Sequence, residues 1–163
     1  MPNENVALPS TRRSLPIALI RAREVVMAPV REMLAGTGMT EQQWRVLRVL
    51  DEFGPMDASR LAREAGLMAS SLTRIVQSMV ADGLVTRETS ASDRRRKVIG
   101  IASGGRRVLS DNREAALAIA EDLRARLGER DFEQLLDLLE VLAEVGPCSN
   151  GSRSVELGNS GRS

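Results

Sequence analysis

Histidine and tyrosine are absent from this 163-residue chain, and cysteine and tryptophan occur once each, as Cys148 and Trp44. Without histidine, and with a single thiol, there is little from which to build a zinc site or a His-assisted nucleophile. No metal or cofactor is expected, nor is catalysis: Gly100 to Gly105 lacks the spacing of a phosphate-binding loop and no acid–base pair stands out. A single cysteine cannot close an internal disulfide, which agrees with a reducing compartment. Long apolar runs are missing too. The longest near the start, Leu15 to Ile20, is too short for a signal-peptide core or a membrane span, so a cytoplasmic protein without membrane contact is expected.

Net charge is only +1, but it is distributed unevenly. Arg60 to Arg107 holds ten Arg or Lys against four acids, whereas Asp111 to Val145 holds ten acids against four arginines. The first segment attracts phosphates and the second is repelled by them. Solvated helix surface is the alternative, yet much of the positive charge sits in one short stretch, Asp93-Arg94-Arg95-Arg96-Lys97, and not at helical spacing. Every basic residue except Lys97 is arginine, so an arginine at a given site is not by itself evidence of two-pronged base recognition.

Capping and breaking residues set out the elements. Residues 1–13 read as a mobile arm whose two arginines are solvated charge, with a weak phosphate contact as the alternative. Ser14 can cap a helix over 14–36, with Pro16 tolerated in its first turn and Leu15, Leu19, Ala22 and Val26 at helical spacing; Pro29 predicts a kink or break near Ala28. Thr40 and Gln43 form a capping-box pair that opens a helix to about Phe53, with Trp44, Leu47 and Leu50 on one face and Gly54-Pro55 as its stop. Asp57 caps a short helix through Leu61 and Ala62, Gly66 ends it, and a second helix spans Ala69 to Ala81 before Gly83. That is helix-turn-helix spacing. Leu84 to Glu88 and Lys97 to Ile101 suit short strands joined by a polar connection, so 40–101 reads as a winged helix.

Beyond it, Ser103 can cap one long helix to Leu127, with Leu109, Ala116, Ile119, Leu123 and Leu127 on a stripe, and Gly128 breaks the run. A last helix from Glu129 to Val145 carries Phe132, Leu135, Leu136, Leu139 and Leu142, too apolar a stripe to face water alone. Alanines 115, 116, 118 and 120 permit close helix approach. The expected fold is therefore mainly α, six helices plus a small β-hairpin wing. Segments 14–36 and 103–145 are expected to supply a dimerisation layer; packing within one subunit is the alternative. Residues 146–163, rich in Gly, Ser and Asn, are expected to be disordered.

Over roughly Ser14 to Val145 the chain resembles the MarR family of bacterial transcriptional regulators. Thr40-Glu41-Gln42-Gln43-Trp44-Arg45-Val46-Leu47 is similar to the family's second helix, and Ser70-Ser71-Leu72-Thr73-Arg74 to its recognition helix. Asp82-Gly83-Leu84-Val85 followed by Asp93-Arg94-Arg95 resembles its wing. Ser14 to Leu19 with Arg21 to Glu24 looks most like the branch controlling homoprotocatechuate degradation. The resemblance implies a homodimer that binds a pseudo-palindromic operator in double-stranded DNA and releases it when a small phenolic acid binds. Three positions depart from the pattern: Met68 where a capping Ser is common, Arg60 in place of a capping-box acid, and Ala102 in place of a capping Thr, for which Ser103 can substitute. Each affects a helix end by about 1 kcal/mol.

In a winged helix the second helix of the pair enters the major groove, which directs Ser70, Ser71, Thr73, Arg74 and Gln77 toward DNA. Arg74 and Gln77 suit base edges; Ser70, Ser71 and Thr73 suit base edges, phosphates or helix-end capping equally. Leu72, Ile75 and Val76 are assigned to the core. Arg94, Arg95 or Arg96 at the wing tip suits a narrow minor groove, and Asp93 suits an ion pair that fixes the tip. For a phenolic or other aromatic carboxylate effector, Ser14, Arg21, Arg23, Trp44 and Arg45 are the candidates that the resemblance brings near the cleft, with Trp44 as wall and one arginine as counter-ion. Trp44 as plain core and these arginines as surface charge is the competing reading. Other classes remain: a winged helix used for protein contact or as a DNA-architectural subunit, and an oxidation sensor relying on Cys148, which lacks a cationic pocket to activate it.

Overall fold

The computed structural model describes residues 10–89 and 97–145, which fall into two compact units, one running to Leu123 and one beginning at Arg124. In the first, a 3-10 turn at Thr11–Arg13 precedes α1 (Leu15–Leu34), α2 (Glu41–Phe53), β1 (Met56–Asp57), α3 (Ala58–Glu64) and α4 (Ala69–Ala81). These are followed by β2 (Val85–Thr89), β3 (Lys97–Ile101), α5 (Ser103–Asp111) and α6 (Arg113–Leu127), which runs across the division. The second unit adds α7 (Glu129–Glu144). Mainly helical architecture with a small antiparallel sheet is the fold expected from the sequence, with seven α-helices among the described residues where six were expected. The N-terminal residues 1–9, the wing tip 90–96 and the tail from residue 146 lie outside the described residues.

Local chemistry accounts for most boundaries. At α2 the capping box is complete: the Gln43 backbone N–H donates to Thr40 Oγ1 and the Thr40 N–H donates to Gln43 Oε1. Asp57 accepts from the Arg60 N–H at 2.9 Å to start α3. Gly66 and Gly83 take φ of +60° and +69° after α3 and α4, a left-handed turn that side chains with a Cβ resist.

Four expectations are corrected. First, α1 runs through Pro29 without a break. The proline removes a single hydrogen bond, and the turn that follows is anchored by buried Leu34, by half-buried Val30 and Met33, and by the Arg31–Glu41 ion pair. Second, the long helix expected over 103–127 is interrupted at Asn112. Its side-chain N–H donates to the Val108 carbonyl at 2.8 Å, a local bond that competes with the helical ladder. Third, Ala102 occupies the N-cap of α5 with no side-chain cap bond, and Ser103 is the first helical residue, not the cap. Fourth, Ser14 stands at the N-cap of α1 but makes no side-chain cap bond.

The sheet has the order β1-β3-β2, antiparallel throughout, with Met56 opposite Ile99 and Val85 opposite Ile101. Val46, Leu47 and Leu50 of α2, Leu61 of α3 and Leu72, Val76 and Met79 of α4 close one core with Met56, Val85 and Ile99. Each such side chain taken from water contributes about 1.5 to 3 kcal/mol. α5 abuts the start of β2 so tightly that a Cβ on Gly105 would lie 2.3 Å from the Leu84 carbonyl oxygen, and one on Gly104 would lie 2.6 Å from that of Gly83. In the second unit, Gly128 turns the chain at φ +82°, and Arg124 pairs with Glu129 and Glu133 while lying 4.5 Å from the Phe132 ring centroid. Leu138 and Val141 of α7 are each 60 % exposed.

Candidate functional site

Because Leu72, Val76 and Met79 turn inward, α4 presents Ser70, Ser71, Thr73, Arg74 and Gln77 outward, all exposed. Arg74 forms no ion pair with any described residue. Thr73 differs from its neighbours: its hydroxyl donates to the Ala69 carbonyl at 3.2 Å, one turn back along its own helix. Met68 holds the N-cap with no side-chain bond and is 74 % exposed. The wing residues Asp93, Arg94, Arg95 and Arg96 lie outside the described residues.

The five effector candidates are not brought together. Trp44 is 7 % exposed and borders two adjoining recesses between helices. One, of about 200 Å³, is walled by Val26, Val30 and Met33 of α1 and by Ile119 and Leu123 of α6. The other, of about 390 Å³, carries Arg48, Arg106, Arg113, Asp51 and Ser110. Arg48 borders both. It lies four residues from Trp44, one helical turn along the same face, so the spacing contained the signal although the sequence reading passed it over. Arg45 follows Trp44 and is rotated about 100° away. It donates through Nη1 to the Ala65 carbonyl at 3.1 Å, and its Nε is buried without a partner among the described residues.

The α1 candidates lie elsewhere. Ser14 is half-buried at the start of the helix and Arg21 is exposed. Arg23 joins a four-membered ion-pair network between α1 and α2. It meets Glu41 at 2.5 Å and Glu24 at 3.2 Å, while Arg31 meets both acids at 2.8 Å. The Arg31 hydrogen bond, with the charge of Arg23 added, holds the Glu41 carboxyl below the usual carboxylate range, and Glu41 in turn raises Arg31. A larger open groove of about 810 Å³ beside the sheet sets Asp51 and Glu88 against one cation, Arg106, and has no aromatic wall, which suits an aromatic anion poorly. Among the described residues no helix is long and apolar enough to cross a membrane.

With this geometry in place, comparison with known proteins is direct. A model of the MarR family matches residues 37–96. The chain is 33% identical over 141 residues to the HTH-type transcriptional regulator FarR of Neisseria gonorrhoeae, covering 86% of this chain and 97% of that protein. It is 34% identical over 133 residues to the homoprotocatechuate degradative operon repressor of Escherichia coli, covering 82% and 90%. Among solved structures, NadR in complex with 4-hydroxyphenylacetate superposes with a TM-score of 0.74 at 32% identity, covering 89% of this chain and 99% of that one. The two sequence relatives are transcriptional regulators, not enzymes. On the extent of these matches and the winged helix that underlies them, the chain belongs to the MarR family of transcriptional regulators.

Proposed function

We propose that this chain is a repressor that binds a pseudo-palindromic DNA operator as a homodimer and is released by a small aromatic carboxylate. The carrying observation is the outer face of α4, where Arg74 and Gln77 stand exposed on a helix held by a winged-helix core. Arg74 is placed to bond guanine and Gln77 adenine, each with two hydrogen bonds worth about 1 to 3 kcal/mol of discrimination. Ser70 and Ser71 serve as phosphate or base contacts. Thr73, bonded to its own helix, serves as a phosphate-side wall. Arg94, Arg95 and Arg96 contribute through the minor groove and Asp93 by ion pairing at the wing tip. A protein acting on chromosomal DNA in this way works in the cytoplasm.

Two copies are needed to read two half-sites. Support for a dimer comes from apolar side chains left in water: Ile20 and Val25 of α1 are 65 % and 66 % exposed, and α7 is exposed along its leucines.

For the effector, the two recesses at Trp44 offer a division of labour. The apolar one accepts a ring beside Val26, Val30 and Ile119, and Arg48 at the junction meets a carboxylate through a charge-assisted pair. NadR binds 4-hydroxyphenylacetate and the Escherichia coli relative controls homoprotocatechuate degradation, which favours aromatic acids of that kind. In this proposal Trp44 is the wall, Arg48 is the counter-ion for which Arg21, Arg23 and Arg45 were the sequence candidates, and Ser14, Arg21 and Arg23 do not line the two recesses as one chain forms them.

Fluorescence anisotropy with fragments upstream of the regulator and its neighbouring genes tests the proposal. Tight binding with a defined footprint, relaxed at one base position by Arg74→Ala, and release by 4-hydroxyphenylacetate with a change in Trp44 emission are expected. No binding to any fragment at low salt refutes it; binding without a footprint points to an architectural role instead.

A further inference from the structure

We propose that Arg87 and Lys97 form a binding site for a backbone phosphate of duplex DNA between α4 and the wing. This rests on the DNA-binding reading above and adds to it a contact outside the recognition helix and the wing tip.

The strand register supplies the first argument. Arg87 stands opposite Ile99 and Thr89 opposite Lys97, so these four side chains share one face of the β2–β3 hairpin. Ile99 on that face is 2 % exposed and packs in the core with Leu72 and Val76 of α4. Arg87 and Lys97 therefore flank the seam where the hairpin meets the recognition helix. Both border a narrow recess there, with Thr73 on its α4 side.

Charge supplies the second. Side chains alternate between the two faces, and Glu88, opposite Val98, lies on the far one, where both border the groove beside the sheet. The described part of the hairpin thus sorts its charge by face, cations toward α4 and the acid away from it. Neither Arg87 nor Lys97 makes an ion pair with any described residue. Lys97 Nζ donates to Thr89 Oγ1 at 2.8 Å, which uses one of its three donors and positions the ammonium.

Size supplies the third. The recess offers about 30 Å³ to water, room for about two molecules. A ring or a nucleoside does not enter it, whereas a single phosphate oxygen reaches its rim. The adjoining exposed surface is the polar face of α4, which argues for a phosphate carried by the duplex that α4 engages. Such a contact sets the height of the hairpin over the groove without reading sequence.

Lys97 is the only lysine, hence the only side-chain amine, in the chain. Acetylation by an amine-specific reagent, followed by peptide mass spectrometry, therefore reports on this site. With the full-length protein, saturating duplex is expected to slow Lys97 acetylation several-fold, while millimolar inorganic phosphate leaves it unchanged. Lys97→Gln and Arg87→Gln are each expected to lower the slope of log affinity against log salt by about 0.9 and to weaken specific and random duplexes alike, with melting temperatures unchanged. If the wild-type protein binds duplex while Lys97 reacts at its free rate, or both variants keep the full slope, the site is refuted and DNA binding stands. Protection by inorganic phosphate to the same degree overturns the backbone assignment in favour of a free-anion site. If the wild-type protein binds no duplex, the functional reading falls first and this site with it.

Discussion

Arg45 donates from its guanidinium to the carbonyl oxygen of Ala65 at 3.1 Å, tying α2 to the residue that ends α3, at the turn of the helix pair. The bond satisfies a carbonyl at the negative end of a helix, where a cation is favoured. Arg45→Met keeps the aliphatic stem and removes the donor. It should cost about 1.5 to 3 kcal/mol, the range for hydrogen bonds to charged groups, as measured by urea denaturation. A variant as stable as the wild type would show that water replaces the tie.

Gly105 is a question of space. Its Cβ would stand 2.3 Å from the Leu84 carbonyl oxygen and 2.8 Å from Leu47 Cδ2. Backbone cannot withdraw as a flexible side chain can, so Gly105→Ala should destabilise the fold by about 1 to 3 kcal/mol or more. Gly36→Ala is the control, because a Cβ there meets nothing within 4 Å. Equal melting temperatures for the two variants would contradict the close approach of α5 to β2.

Glu41 gives a pH dependence. A carboxyl held below its ordinary range in the fold stabilises the fold above its unfolded pKa, and that contribution disappears as pH falls through the folded value. The wild type should therefore lose melting temperature more steeply than Glu41→Gln as pH is lowered through and below the normal carboxylate range. Parallel curves for the two proteins would show that the α1–α2 network makes no difference to folding.

Met68 marks a helix start without a cap. A hydroxyl at that position can accept a backbone N–H of α4, which the thioether does not, so Met68→Ser should stabilise the fold by about 0.5 to 2 kcal/mol in thermal or urea unfolding. A loss of stability instead would mean that the exposed methionine makes apolar contacts worth more than a cap.

The winged helix was legible because its signals are local. Thr40 with Gln43, Asp57, Gly66 and Gly83 each act within one turn, and the structure places the helix ends at them. β1 was not legible: two residues carry no periodicity, and the partner strand of Met56 and Asp57 lies some forty residues on. Nor was the interruption at Asn112, because helix formers and an apolar stripe continue on both sides of it. Trp44 is an effector candidate by family resemblance, and the structure sets it at the border of the two recesses. Arg45 rests on the same resemblance, which does not show that its guanidinium bonds the Ala65 carbonyl while Arg48, one turn on from Trp44, borders both recesses. Ser14, Arg21 and Arg23 were chosen by resemblance, and resemblance does not show that Glu41 already occupies Arg23.

β3 is the middle strand, paired on one side with β2 and on the other with the two residues that lead straight into α3. If a duplex presses on the wing as proposed, the load is shared through Met56 and Asp57 with the first helix of the pair. Wing and helices would then tilt together as a single lever, and an operator that strains one contact strains the other.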